Sequence, residues 1–119
     1  MFINISNHPS AKWSAEQLTA AQELGGEVWD IAFPAVPTTA TTAEIAVMAD
    51  QISAQVADGE VAMIQGEFSL VWSLTSRIRN RGLRVVVACT DRRSVEVQKP
   101  DGTVEKTTVF VFAGFRDQE

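Results

Sequence analysis

Three short stretches hold most of the side chains in this sequence that could act on a small polar molecule: Ser6-Asn7-His8 with Ser10, Gln65-Gly66-Glu67 with Ser69, and Thr90-Asp91-Arg92-Arg93. His8 is the only histidine, and histidine is the residue type best suited to moving a proton near neutral pH. It also precedes Pro9, where a hydrogen bond that stabilises a turn would use it equally well. Gly66 permits close approach to the backbone, and free N–H groups at the start of a helix beside it can cradle an anion that Arg92 and Arg93 would clamp. Each of these has a plainer use. Glu67 at a helix start favours the dipole with no ligand present, and Asn7 and Ser10 are ordinary turn and cap formers. Cys89 reads as a small buried apolar residue at a strand end, and Trp13, Trp29 and Trp72 as core or interface residues.

Charge is distributed unevenly. Six of the seven arginines (Arg77, Arg79, Arg81, Arg84, Arg92, Arg93) lie between positions 77 and 93, where Asp91 is the only acid, for a local charge of +5 within a chain of net charge −5. Such asymmetry can focus a small anion while an acidic remainder repels long polyanions. Arg77, Arg79 and Arg81 also fit the C-terminal end of a helix, where cations complement the macrodipole. Arg92 and Arg93 have no such role.

Composition and missing motifs narrow the chemistry. The chain has 119 residues, 45% hydrophobic and 21% charged, which suits one compact domain. The acidic balance argues against duplex DNA as a partner. No apolar run approaches the roughly 20 residues that cross a bilayer. With a single cysteine and no secretion signal at the start, the expected compartment is the reducing cytoplasm. There is no glycine-rich dinucleotide fingerprint, no phosphate loop of the GxxxxGK[ST] type and no GxSxG elbow. One histidine and one cysteine cannot build the usual structural zinc site. The expectation is metal-independent chemistry without a cofactor, or binding alone.

The elements that must position these residues follow from pattern. Phe2–Ser6 is a short β-rich run ended by Asn7-His8-Pro9-Ser10. Ser14 and Gln17 form a capping box, flanked by Trp13 and Leu18 as a staple, for a helix from Ala15 to Leu24 that Gly25-Gly26 stops. Glu27–Phe33 alternates as a second strand. Thr41 with Glu44 caps a helix carrying Ile45, Met48, Ile52 and Val56 on one face, which Asp58-Gly59 ends. Val61–Ile64 is the third strand. A third helix turns Val71, Leu74 and Ile78 inward and closes at Asn80-Arg81-Gly82, and Leu83–Cys89 is a strand buried on both faces. The βαβαβαβ order predicts an α/β fold, a Rossmann-like, mostly parallel, doubly wound sheet with helices on both faces. Val95 and Val97, the turn Pro100–Thr103 and the return from Val104 to Phe112 add a C-terminal antiparallel β-hairpin. Since Val109–Phe112 are apolar on both faces, the returning strand should be central in the sheet or covered by a second subunit in a homodimer. In such a sheet ligands bind at the carboxyl ends of the strands, and the three polar stretches fall in the loops expected there.

The opening FINISNHPSAKWSAEQ, the QGEFS turn, the ACTDRR segment and the terminal FVFAGFR resemble small CRISPR-associated accessory proteins with a Rossmann-like fold. These are relatives of the cyclic-oligoadenylate-binding CARF domains, and some are ring nucleases. The likeness runs over most of the chain. It implies a homodimer that holds a cyclic oligoadenylate, with cyclic tetra-adenylate the expected ring, in a cleft across its two-fold axis. It also implies linearisation by attack of a ribose 2′-hydroxyl on the neighbouring phosphorus, ending type III antiviral signalling. On that reading Ser6, Asn7, His8, Ser10, Gln65, Gly66, Glu67, Ser69, Thr90, Arg92 and Arg93 bind the ligand. His8 donates a proton to the leaving oxygen, Asn7 or Ser10 orients the attacking hydroxyl, and Arg92 or Arg93 neutralises the phosphorane. Two other classes fit the same residues: a noncatalytic nucleotide sensor that signals to a separate effector, and an adaptor homodimer with no ligand.

Overall fold

A computed structural model describes residues 1–56 and 59–118. Five strands form one sheet in the order β2-β1-β3-β4-β5, with β1 Phe2–Ser6, β2 Val28–Ala32, β3 Val61–Ile64, β4 Arg84–Gln98 and β5 Val104–Asp117. The first four run parallel and β5 runs antiparallel to β4. The helices are α1 Ala15–Gly25, α2 Thr42–Ser53 and α3 Phe68–Asn80, with a 3-10 turn at Ser10–Lys12. The mixed α/β fold, its mostly parallel sheet and its C-terminal antiparallel hairpin are those expected from the sequence. Among the described residues no helix is long and apolar enough to cross a membrane.

Alternation along the central strands divides the core in two. All five residues of β1 are buried; Phe2 packs with Ala21 of α1 and with Val61, Met63 and Val86, while Ile3 and Ile5 turn to the other side. There they meet Ala49 and Ile52 of α2 and Leu70, Leu74 and Ile78 of α3. Helices therefore cover both faces, and the chain reverses direction of growth after β2, crossing back over β1 to place β3. The reversal opens a crevice between the carboxyl ends of β1 and β3, the position where open α/β sheets hold ligands.

Local signals explain the helix ends. Ser14 Oγ accepts from the Gln17 N–H at 3.2 Å, and Thr41 and Glu44 complete a reciprocal capping box. Gly26 at φ 81° and Gly82 at φ 90° end α1 and α3 in the left-handed region that an L side chain rarely enters. The expected stop of α2 at Asp58 lies outside the described residues; the helix itself ends at Ser53, and Val56 beyond it is still buried.

The sheet departs from expectation at β4. The strand does not end at Cys89. It pairs with β3 only over Arg84–Val86 but continues with β5 as far as Gln98. No glycine or proline interrupts Thr90-Asp91-Arg92-Arg93, so nothing turns the chain. A single bulge lies between Cys89 and Thr90, where Ala113 has no partner opposite it. Cys89 is half-buried within the strand rather than at its end. The result is a two-stranded ribbon reaching beyond the sheet, closed by a turn in which Asp101 accepts from the Thr103 N–H and hydroxyl. The returning strand β5 is the outermost of the sheet, not a central one.

Candidate functional site

The link after β1 is held from within. Asn4, 1% exposed in mid-strand, donates from Nδ2 to Asp30 Oδ1 at 2.9 Å and to the His8 carbonyl at 3.0 Å, and its Oδ1 accepts from Ser6 Oγ at 2.7 Å. The His8 N–H donates to Ser6 Oγ at 3.1 Å, and Trp13 Nε1–H donates to the His8 carbonyl at 3.1 Å. Asp30 also accepts from the Ser10 N–H and Ser10 Oγ. Every polar atom of the buried Asn4 side chain is thus used, which is what makes its burial tolerable. Ser6 and Ser10, expected at a ligand, spend their hydroxyls on this scaffold. What the scaffold presents is the side chains of Asn7 and His8, both exposed, with no hydrogen bond from either among the described residues. Asn4 and Asp30 were not singled out from the sequence; they lie in register on neighbouring parallel strands, and two polar residues centred in otherwise apolar runs were the available signal.

The expected anion cradle at α3 is already filled. Glu67 is the N-cap, and its carboxylate accepts from Ser69 Oγ at 2.6 Å, from the Ser69 N–H at 3.0 Å and from the Leu70 N–H at 2.9 Å. The Ser69 hydroxyl above all, then the two backbone donors, hold the Glu67 carboxyl below its ordinary range. The chain supplies its own anion, so Glu67 and Ser69 serve the helix. Gly66 is explained from the protein side as well. A Cβ there would fall on the ring of Phe33, within 2.6 Å of its Cγ, and Phe33 is a buried core residue. The space that glycine leaves is taken by an aromatic ring, not offered to a ligand.

The arginines do not converge. Neighbouring strand residues point to opposite faces, so Arg92, opposite Phe110, and Arg93, opposite Val109, cannot clamp one anion. Arg93 pairs with Asp91 at 3.6 Å. Arg84, which pairs with Asp117, stands eight residues before Arg92 along β4, roughly 26 Å away. Arg77 binds Asp50 at 2.7 Å and the Ser73 hydroxyl, and Arg81 donates to the Val56 carbonyl. The local positive charge of the sequence is therefore split between the two ends of the sheet.

The structure does bring one subset together. A cleft of about 560 Å³ opens beyond the carboxyl ends of β1 and β3 and alongside the middle of β4 and β5, with His8, Gln65 and Thr90 in its wall beside Lys12, Trp13 and Phe110. A hollow of about 200 Å³ adjoins it, lined by Ser6, Asn7, His8, Gln65 and Gly66. His8 and Gln65 border both. The larger volume lies within the ~300–1,000 Å³ common for small-molecule sites. Lys12 supplies a cation and Phe110 a flat apolar surface, so the cleft can take a group that combines an anion with an aromatic ring. Lys12 and Phe110 were not assigned to the site from sequence, because the 3-10 turn that places the first and the strand extension that places the second have no motif. The sequence profile described as the Uncharacterized protein MJ1673 family matches residues 1–116. The chain belongs to that family. Within this MJ1673-family chain the match runs from β1 into the base of β5, and so includes every residue of the cleft wall named above. No curated protein matches the chain, and no solved structure does.

Proposed function

We propose that this protein binds a nucleotide second messenger of the cyclic oligoadenylate class at the cleft between β1, β3 and β4, as a homodimer. The observation that carries the reading is the convergence of His8, Gln65, Lys12 and Phe110 on one cleft at the point where strand order reverses. A phosphate finds Lys12, an adenine finds the Phe110 ring, and the amide of Gln65 is placed to read a polar edge. The sequence likeness to small CRISPR-associated proteins supports the ligand class. One cleft is too small for a whole ring of nucleotides, which is why the reading requires two copies. In this reading Arg92, not Arg93, is the ribbon arginine that serves the ligand, since it shares the strand face of Phe110.

Cleavage is a second reading, favoured by the free imidazole of His8 on a rigidly hydrogen-bonded backbone. In that reaction the ribose 2′-hydroxyl gives its proton to water as its oxygen bonds to phosphorus, the P–O5′ bond breaks, and His8 protonates the departing 5′-oxygen to leave a 2′,3′-cyclic phosphate. Incubation of the protein with labelled cyclic oligoadenylates in the presence of chelator tests both readings. Retention of label without linear product identifies a sensor or sink, and linear product lost on His8→Ala identifies the nuclease. Neither retention nor product for any ring size overturns the proposal and leaves the adaptor homodimer.

A further inference from the structure

We infer that two copies of this chain pair through the outer edge of β5, antiparallel and edge to edge, so that their sheets become continuous. The inference rests on the reading above for its functional meaning, since it names the contact that brings two clefts together. β5 is the last strand of the sheet, so one row of its N–H and C=O groups has no strand beside it. Every residue from Thr90 to Gln98 and from Val104 to Thr108 is exposed. Sheets ordinarily protect such an edge with charge, proline or a short strand. Here Thr107-Thr108-Val109-Phe110-Val111-Phe112 carries neither charge nor proline. Phe110 is 70% exposed, and Val95, Val97 and Val104 are exposed with it. A two-stranded ribbon is marginal in water by itself, so this one calls for a further strand against it.

The chemistry of the edge points to itself as the partner. A two-fold axis perpendicular to the sheet reverses the strand while keeping each face on its own side. Placed at Phe110, and with Ala113 counted as the extra residue of the bulge, the axis sets Glu105 near the tip opposite the partner's Arg116 near the base. Both residues lie on the same face of the ribbon, as opposed cross-strand neighbours must. Arg116 has no ion pair among the described residues, and Glu105 holds only an exposed one, to Lys99 at 3.2 Å, which leaves its carboxylate open to a second cation. Phe110 lies on the side of the sheet that carries the cleft, so the axis sets it against the partner's Phe110 between two clefts that open on one face. A ligand longer than one cleft can lie across both.

Sedimentation equilibrium of the ligand-free full chain at micromolar concentration is expected to give twice 13.0 kDa. Phe110→Lys, at an exposed position and with the far-UV dichroism of the parent, is expected to give a monomer. Arg116→Glu is expected to weaken the dimer about tenfold, the scale of two exposed ion pairs turned repulsive, and Glu105→Arg added to it to restore the parent affinity. Should Phe110→Lys fail to fold, the charge exchange decides alone. A monomeric parent, a dimer indifferent to Phe110→Lys, or an Arg116→Glu defect that Glu105→Arg does not repair overturns the inference. Because no nucleotide is present, an intact β5 dimer that binds no nucleotide sinks only the functional reading. A dimer that binds one yet is indifferent to Phe110→Lys sinks only the pairing.

Discussion

Substituting alanine for Gly66 separates two meanings of that glycine. Its backbone has a negative φ, so alanine meets no conformational penalty there; the cost is steric. The new methyl would overlap the Phe33 ring, which is 4% exposed and packed in the cluster that includes Ile5, Ile64 and Leu70. The ring has no room to withdraw without displacing these neighbours, which places the change toward the upper part of the ~1–3 kcal/mol range for overpacked cores. For a chain of this length that corresponds to a loss of roughly 6–15 °C in melting temperature. The assay is thermal and urea denaturation of Gly66→Ala, Phe33→Leu and the double variant. Removing the ring should relieve the clash, so alanine at 66 should cost under about 1 kcal/mol in the Phe33→Leu background, a coupling readable from the cycle. Full stability of Gly66→Ala together with lost nucleotide binding would refute the packing argument and return the glycine to the ligand.

Asn4→Ala removes three hydrogen bonds from a buried position and should destabilise by about 2–4 kcal/mol, with proton-exchange protection falling first at the His8 and Ser10 amides; unchanged protection there would show that the loop is not held by this network. Lys12→Ala should weaken nucleotide binding about 10- to 100-fold with little change in folding, as expected for a charge-assisted phosphate contact, whereas Arg93→Ala, on the opposite strand face and paired with Asp91, should leave affinity within about twofold. Equal effects of the two would contradict the placement of the cleft. The carboxyls of Glu67, Asp101 and Asp117 sit below their ordinary range, held there chiefly by the hydroxyls of Ser69 and Thr103 and by the Arg84 guanidinium. A carboxyl lowered in the folded state lends stability that is present above its unfolded pKa and lost as pH falls through its folded one, so urea midpoints should drop below roughly pH 4 and Glu67→Gln should flatten that acid limb. Superimposable acid limbs would remove Glu67 from the linkage.

Much of the fold is legible in the sequence because local rules and tertiary packing agree there. Ser14 and Thr41 cap where their spacing to Gln17 and Glu44 says they should, and Asp101-Gly102 turns the hairpin. The crevice itself follows from the order of strands and helices. Legibility fails where a residue's partner comes from elsewhere in the chain. Nothing local tells that Phe33 fills the space beside Gly66, or that Asn4 and Asp30 lie in register. A run of six arginines looks like one patch until a strand carries Arg92 far from Arg84. Glu67 shows the converse: a helix start that suits a ligand anion suits a carboxylate of the chain equally, and the nearer one wins.

Titrating the nitrogen-15-labelled protein with cyclic tetra-adenylate and following its amide resonances asks the central question most directly. The expected response is perturbation concentrated at His8, Lys12, Gln65, Thr90 and Phe110, the rim where β1 and β3 end beside β4 and β5. Perturbation confined to the opposite groove around Phe68 and Trp72 between α2 and α3, or none at saturating ligand, would contradict it.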